Sequence, residues 1–160
     1  PELTGARSRG IAVTVEPDRR WLMCHVKSVN LLANVLAKEA AARKGASEAL
    51  LEREGLGILE GGSSNLFIVK DGVIKTPPLS NHILPGITRQ YVLTIIEKLQ
   101  LPCEETYFDR SELMNADEVF LSSTGLEVMP VVTIDQIPVK NGAPGPIAQQ
   151  LQGKYEEHIG

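Results

Sequence analysis

The sequence predicts a mixed α/β fold with much antiparallel pairing, on three observations. Short β-rich runs alternate with helical patterns along the 160 residues. Asp71-Gly72 separates the runs at 66–70 and 73–76, the strongest hairpin signal in the chain. A second turn signal, Asn141-Gly142, follows the run at 128–134. Hairpins join antiparallel neighbours, so a purely parallel sheet is excluded.

The elements follow in order. Gly5 to Gly10 reads as a flexible lead-in, so residues 1–10 precede a single domain over 11–160. The start at Pro1, without methionine, is expected of a fragment or a processed product. Ile11 to Val15 is β-rich, and Arg20 to Val26 is expected to pair with it across Glu16-Pro17-Asp18. From Asn30 to Lys44 the pattern is helical, with Leu31, Leu32, Val35, Leu36 and Ala40 on one amphipathic face and Gly45 as its stop. Ala49-Leu50-Leu51 begins a short strand, and Leu59 to Asn65 reads as a Gly/Ser loop. Pro77, Pro78 and Pro85 mark a loop that enters a helix near Thr88 and runs to about Leu99. A strand over Cys103–Tyr107, a short helix over Ser111–Met114 with Ser111 as N-cap, and a strand over Val119–Ser123 come next. Val128 to Ile134 continues in strand, and Pro146 to His158 is helical. No internal repeat is present.

Composition narrows the function classes. Aromatics are only 4% of the chain, so the core must be mostly Leu, Ile, Val and Ala. The net charge of −4, without a Lys/Arg cluster, argues against nucleic acid or an anionic membrane as partner. No apolar run approaches a membrane span. Cys24 and Cys103 lack metal-like spacing and fit a reducing cytoplasm. His25 is the only one of three histidines beside a cysteine, which does not make a tetrahedral zinc site.

Four segments are candidates for chemistry, and each has a plainer alternative. Lys27 ends a β-rich segment just before a helix: a desolvated amine there is a Schiff-base nucleophile, and a solvated one is a surface lysine. Glu60-Gly61-Gly62-Ser63-Ser64-Asn65 lets backbone approach a ligand and offers a carboxylate for a cationic ring nitrogen, or is a solvated loop. Leu84-Pro85-Gly86-Ile87-Thr88 opens a helix with free N–H groups, an anion site or an ordinary cap. Ser122-Ser123-Thr124-Gly125 ends a strand, a second donor cluster or a polar turn.

Taken in order, Arg20-Trp21-Leu22, Val26-Lys27-Ser28-Val29-Asn30-Leu31-Leu32, Glu60 to Asn65 and Ile87-Thr88-Arg89 resemble the class IV aminotransferases, most nearly the D-amino-acid enzymes. The resemblance runs from about Val13 to the C-terminus. It implies a large C-terminal domain with a barrel-like sheet, mostly antiparallel, and flanking helices. It implies pyridoxal 5'-phosphate (PLP) as cofactor and transamination between an amino acid, D favoured, and a 2-keto acid. Lys27 then carries the Schiff base and Glu60 faces the pyridine nitrogen. Leu84 lies on the cofactor ring, while Ile87, Thr88, Ser123 and Thr124 meet the phosphate. Ser63 and Gly125 lie near the substrate. A homodimer is also implied.

The resemblance implies that the family's smaller N-terminal domain, with its phosphate-binding arginine, is not in this sequence, so the isolated chain is expected to be impaired. Gly125 replaces a hydroxyl residue and Gly62 a serine of the D-amino-acid enzymes. Other readings are the aminodeoxychorismate lyase or branched-chain aminotransferase of the same family, or a catalytically silent fragment.

Overall fold

The computed structural model describes residues 2–159, with side chains over 5–157. Pro1 and Gly160, the ends of the expected lead-in and domain, and the His158 side chain lie outside the described residues. The fold is built from α1 (Glu2–Arg9), β1 (Ile11–Pro17), α2 (Leu32–Arg43), β2 (Glu48–Arg53), β3 (Gly57–Gly61), β4 (Asn65–Lys70) and β5 (Val73–Thr76). After these come α3 (Ile87–Lys98), β6 (Cys103–Glu105), α4 (Arg110–Met114), β7 (Glu118–Ser123), β8 (Glu127–Ile134), β9 (Ile137–Pro138) and α5 (Pro146–Ile159).

Six of these strands close on themselves. The order β3-β2-β1-β8-β7-β4 returns to β3 through one register pair, Glu60 opposite Asn65. β5 and β6 extend the sheet beyond β4, and β9 pairs with β8. Most neighbours are antiparallel, and β1–β2, β1–β8 and β5–β6 are the parallel pairs among the described residues. The expected mixed, mostly antiparallel barrel-like sheet with flanking helices is therefore present.

Strand alternation sorts the side chains onto two faces. Val13, Leu50, Ile58, Leu66, Ile68, Leu121 and Met129 fill the inside of the ring. Phe67, Val69, Phe120 and Val128 point outward and are covered by α3 and α5 through Val92, Ile96, Ala148 and Leu151. Phe67 and Phe120 stack there with ring centroids 4.9 Å apart. The core is largely aliphatic, as the composition requires.

Several expectations are corrected. Residues 2–9, expected as part of a flexible lead-in, form α1, whose Ala6 packs on the barrel core. Arg20 to Val26 forms no strand: β2 and β8 already occupy both edges of β1, leaving no edge to pair with. The expected Gly/Ser loop shrinks to Gly62–Ser64, because Leu59 and Glu60 belong to β3. The cap of α4 is Asp109, which accepts from the Glu112 N–H at 2.8 Å in a reciprocal capping box, so Ser111 is not the N-cap.

The α2 face is the largest correction. Its buried residues are Ala37 and Ala41, which seat the helix closely on Ala49 and Leu51 of β2. Leu32 is 70% exposed and Leu36 59% exposed. The larger apolar residues face away from the core because only alanine fits the narrow gap over the sheet.

Candidate functional site

The site forms where the barrel closes. Gly61 accepts no side chain, since an added Cβ would overlap the Ser64 hydroxyl. The chain can therefore turn tightly, with the Gly61 N–H donating to Ser64 O at 2.7 Å. That turn sets Glu60 of β3 against Asn65 of β4 on the seam.

Glu60 is buried and surrounded by donors. The Asn65 Nδ2 donates to its Oε2 at 3.0 Å, and the Leu84 N–H reaches the same oxygen at 3.1 Å. Arg20 Nη1 donates to Oε1 in a short contact. Burial pushes the Glu60 carboxyl up to about 7, against the opposing charge and hydrogen bond of Arg20. Burial alone would lower the Arg20 guanidinium, but Asp18 and Glu60 outweigh it and raise it above its usual range.

Asn65 ties the seam to the helix entry. Its Nδ2 also donates to Leu84 O at 2.9 Å. Gly86, the N-terminal flanking residue of α3, lies so near Asn65 Oδ1 that an added Cβ would overlap it. No side chain caps α3, which leaves its first-turn N–H groups available to an anion, beside the buried Thr88.

The β7 end adjoins the same place. Ser122 sits in register with Asn65, so the two side chains share a sheet face. The Ser122 hydroxyl is buried and without a hydrogen-bond partner among the described residues. Such an orphan is costly unless something supplies its bond. Ser123 Oγ already accepts from the Leu126 N–H at 3.1 Å, while Thr124 and Gly125 are exposed.

The structure thus brings together Glu60, Leu84, Ile87, Thr88, and the strand end that carries Ser123 and Thr124. It shows no hydrogen bond or ion pair from Lys27 to them. Lys27 is exposed in the irregular segment 18–31 and forms no hydrogen bond or ion pair with the described residues. That segment is tied down upstream, where the Cys24 N–H donates to Asn81 O at 2.8 Å. Ser63 turns away toward α2: its hydroxyl donates to Glu48 at 2.8 Å and accepts from Lys38 Nζ at 2.8 Å. Arg20 and Asn65 were visible only as motif letters. Nothing in a linear pattern signals a hydrogen bond to a carboxylate forty residues away.

Comparison with known proteins identifies the family. The family model "Amino-transferase class IV" matches residues 2–134. The D-alanine aminotransferase of Staphylococcus aureus (strain COL) is 51% identical over 147 residues, 92% of this chain and 51% of that protein. The D-alanine aminotransferase of Bacillus licheniformis is 44% identical, over 96% of this chain and 54% of its own. The PLP-form of the Thermobaculum terrenum branched-chain amino acid aminotransferase superposes with a TM-score of 0.87 at 35% identity, covering 94% of this chain and 51% of that one. The chain spans about half the length of the curated relatives it matches. On a family match over most of its residues, with the fold to accompany it, the chain belongs to the class IV aminotransferases.

Proposed function

We propose that the chain is the PLP-binding part of a transaminase that moves an amino group between an amino acid, D favoured, and a 2-keto acid. The carrying observation is Glu60: a buried carboxylate at the barrel seam, beside the Leu84 backbone and next to the uncapped N-terminus of α3. The donor set fits PLP. Glu60 suits a protonated pyridine nitrogen, and the α3 N–H groups of Ile87 and Thr88 suit its phosphate. The Thr88 hydroxyl and the unpartnered Ser122 add neutral donors on that side, with Ser123 and Thr124 at the rim. Leu84 would lie beside the ring. When bound, PLP supplies the electron sink for bond cleavage at the substrate Cα.

Each residue then has a task. Glu60 would keep a proton on the ring nitrogen and orient the ring. Lys27 would hold the cofactor through its amine and, when free, would accept or donate a proton at its Nζ. Exposed Gly125 would border the substrate, and Ser63 would reach it by giving up its bonds to Glu48 and Lys38. Because Lys27 is exposed in this chain, water reaches the amine, and turnover by the isolated chain is expected to be weak. The preference for D substrates rests on the 51% identity to a D-alanine aminotransferase.

The exposed strip of Trp21, Leu22, Met23, Val26, Val29, Leu32, Val35 and Leu36 supports self-association into a homodimer. No helix among the described residues is long and apolar enough to cross a membrane. A cytoplasmic location is proposed from the two free cysteines.

The test is a titration of the chain with PLP, followed by absorbance. A new band near the visible edge is expected in the wild type and not in Lys27→Ala. No band in the wild type would sink the cofactor reading. D-alanine and L-leucine, each with 2-oxoglutarate, then separate the D-specific from the branched-chain reading.

A further inference from the structure

Glu60 is embedded in a group of charges that the β-pairing does not require. Asp18, whose side chain is wholly buried, accepts from the Arg20 backbone N–H at 3.0 Å and from Arg20 Nε at 2.9 Å. Its second oxygen accepts from Arg20 Nη2 at 3.1 Å and from Arg53 Nε at 3.0 Å. Arg20 spends its remaining nitrogen, Nη1, on Glu60. Side-chain exposure is 6% for Arg20, 5% for Glu60 and 13% for Arg53. Two cations and two anions therefore balance in a nearly dry site.

Arg20 lies in the irregular segment 18–31, outside any helix or strand. The backbone at Glu60 is already paired, opposite Leu51 on one side and Asn65 on the other. The fold can close its barrel without the Arg20 contact, so the contact calls for a reason at the site. A carboxylate so deeply buried takes up a proton unless a cation faces it. A protonated Glu60 would offer a donor where a ring N–H needs an acceptor.

We propose that Asp18, Arg20 and Arg53 form a clamp that fixes the direction of Glu60 and favours its ionised form, with Arg20 as its positioning residue. Asp18 holds the guanidinium fork in place, and Arg53 balances the charge of Asp18. The planar fork lets Arg20 pair with Asp18 through two nitrogens while a third meets Glu60, a fixed geometry that a single ammonium does not reproduce. Because the same segment carries Lys27, the clamp also fastens the chain bearing the amine to the strand bearing the acid. This inference rests on the reading of Glu60 as the pyridine partner.

The groups around Glu60 are few. They are Arg20, Asp18 and Arg53 behind it, His82 with Nδ1 at 3.0 Å from Arg53 Nη1, the Cys24 thiol nearby, and the neutral donors Asn65 and Leu84. The His82 carbonyl also accepts from Arg20 Nη2 at 3.1 Å.

The experiment is a carboxyl NMR titration of Glu60 in the PLP-free chain, assigned with Glu60→Gln. Wild type, Arg20→Gln, Arg20→Lys and Asp18→Asn are compared. Wild type is expected to titrate near 7. Arg20→Gln is expected to raise the midpoint by about one unit or more and Arg20→Lys by roughly half a unit, whereas Asp18→Asn removes an anion that itself raises Glu60 and is expected to lower it. With PLP added, the Kd is expected to weaken about tenfold in Arg20→Gln and less in Arg20→Lys.

A merely structural role would lower Tm in these variants and leave the Glu60 midpoint where it was, which overturns the proposal. If Arg20→Gln does not fold, Arg20→Lys decides, and a midpoint within about 0.2 unit of wild type there overturns the proposal. If the midpoints move but the wild type takes up no PLP, the clamp stands and the transaminase reading falls.

Discussion

Gly86 and Gly125 show how differently two glycines near one site are constrained. At Gly86 an added Cβ would overlap Asn65 Oδ1, and Asn65 is the residue that links Glu60 to the Leu84 carbonyl. Gly86→Ala is expected to destabilise the chain by about 1–3 kcal/mol, as overpacking does, and to weaken PLP binding with it. Urea unfolding and a PLP titration check both. Gly125 has nothing within 4 Å of an added Cβ. Gly125→Thr, which restores a hydroxyl at this position, is expected to change stability by less than about 0.5 kcal/mol. A loss beyond about 1 kcal/mol would show that the loop packs more tightly than its exposure indicates. Of the site, the chemical identities were legible in the sequence and the connections were not. Glu60 and Thr88 stand out by residue type and neighbours, whereas the bond from Arg20 to Glu60 depends on how an irregular segment folds back.

At the scale of elements, α2 separates hydrophobic spacing from burial. Its leucines and valines have helical spacing, yet Ala41 is fully buried and Leu32 is 70% exposed. Periodicity finds a helix; it does not say which of two apolar faces meets the sheet. Here the alanine face wins because α2 must lie close over Ala49 and Leu51. Leu32→Gln and Leu36→Gln are each expected to cost less than about 0.5 kcal/mol in the monomer. Ala41→Leu is expected to cost about 1–3 kcal/mol by overpacking. The opposite ranking in chemical denaturation would reverse the assignment of faces. β3 was missed for a related reason. Gly57 and Gly61 bracket only three other residues, so its glycines read as loop, and its partners β2 and β4 make it a strand. The hairpin at Asp71-Gly72, α3 and α5 were legible because turn chemistry and long periodic runs are local signals.

For the whole molecule, the buried carboxyl of Glu60 links stability to pH. Its folded midpoint, about 7, lies above the ordinary 4.5, so between those values the folded state binds more protons than the unfolded one. Stability contributed by this group is then full below 4.5, falls as pH rises through the window, and is lost above 7. The loss is on the order of 3 kcal/mol at most. Asp18 has the opposite sign. Burial raises its carboxyl, but the hydrogen bonds and charge of Arg20 outweigh that and hold it below 3.8, so its contribution is lost only in stronger acid. Urea midpoints measured across the Glu60 window should fall with rising pH in the wild type and flatten in Glu60→Gln. A wild-type slope unchanged in that variant would assign the linkage to another group.

The barrel closes through a single register pair between β3 and β4, Glu60 opposite Asn65. A ring joined by so short a stitch is expected to open there first, and Glu60, one half of the stitch, is the residue proposed to face the cofactor. Occupancy and closure are then one equilibrium, and a ligand at Glu60 acts as a clasp. Amide hydrogen exchange over residues 57–65 would register it, fast in the bare chain and slowed as PLP is added, with the far strands β8 and β1 little changed.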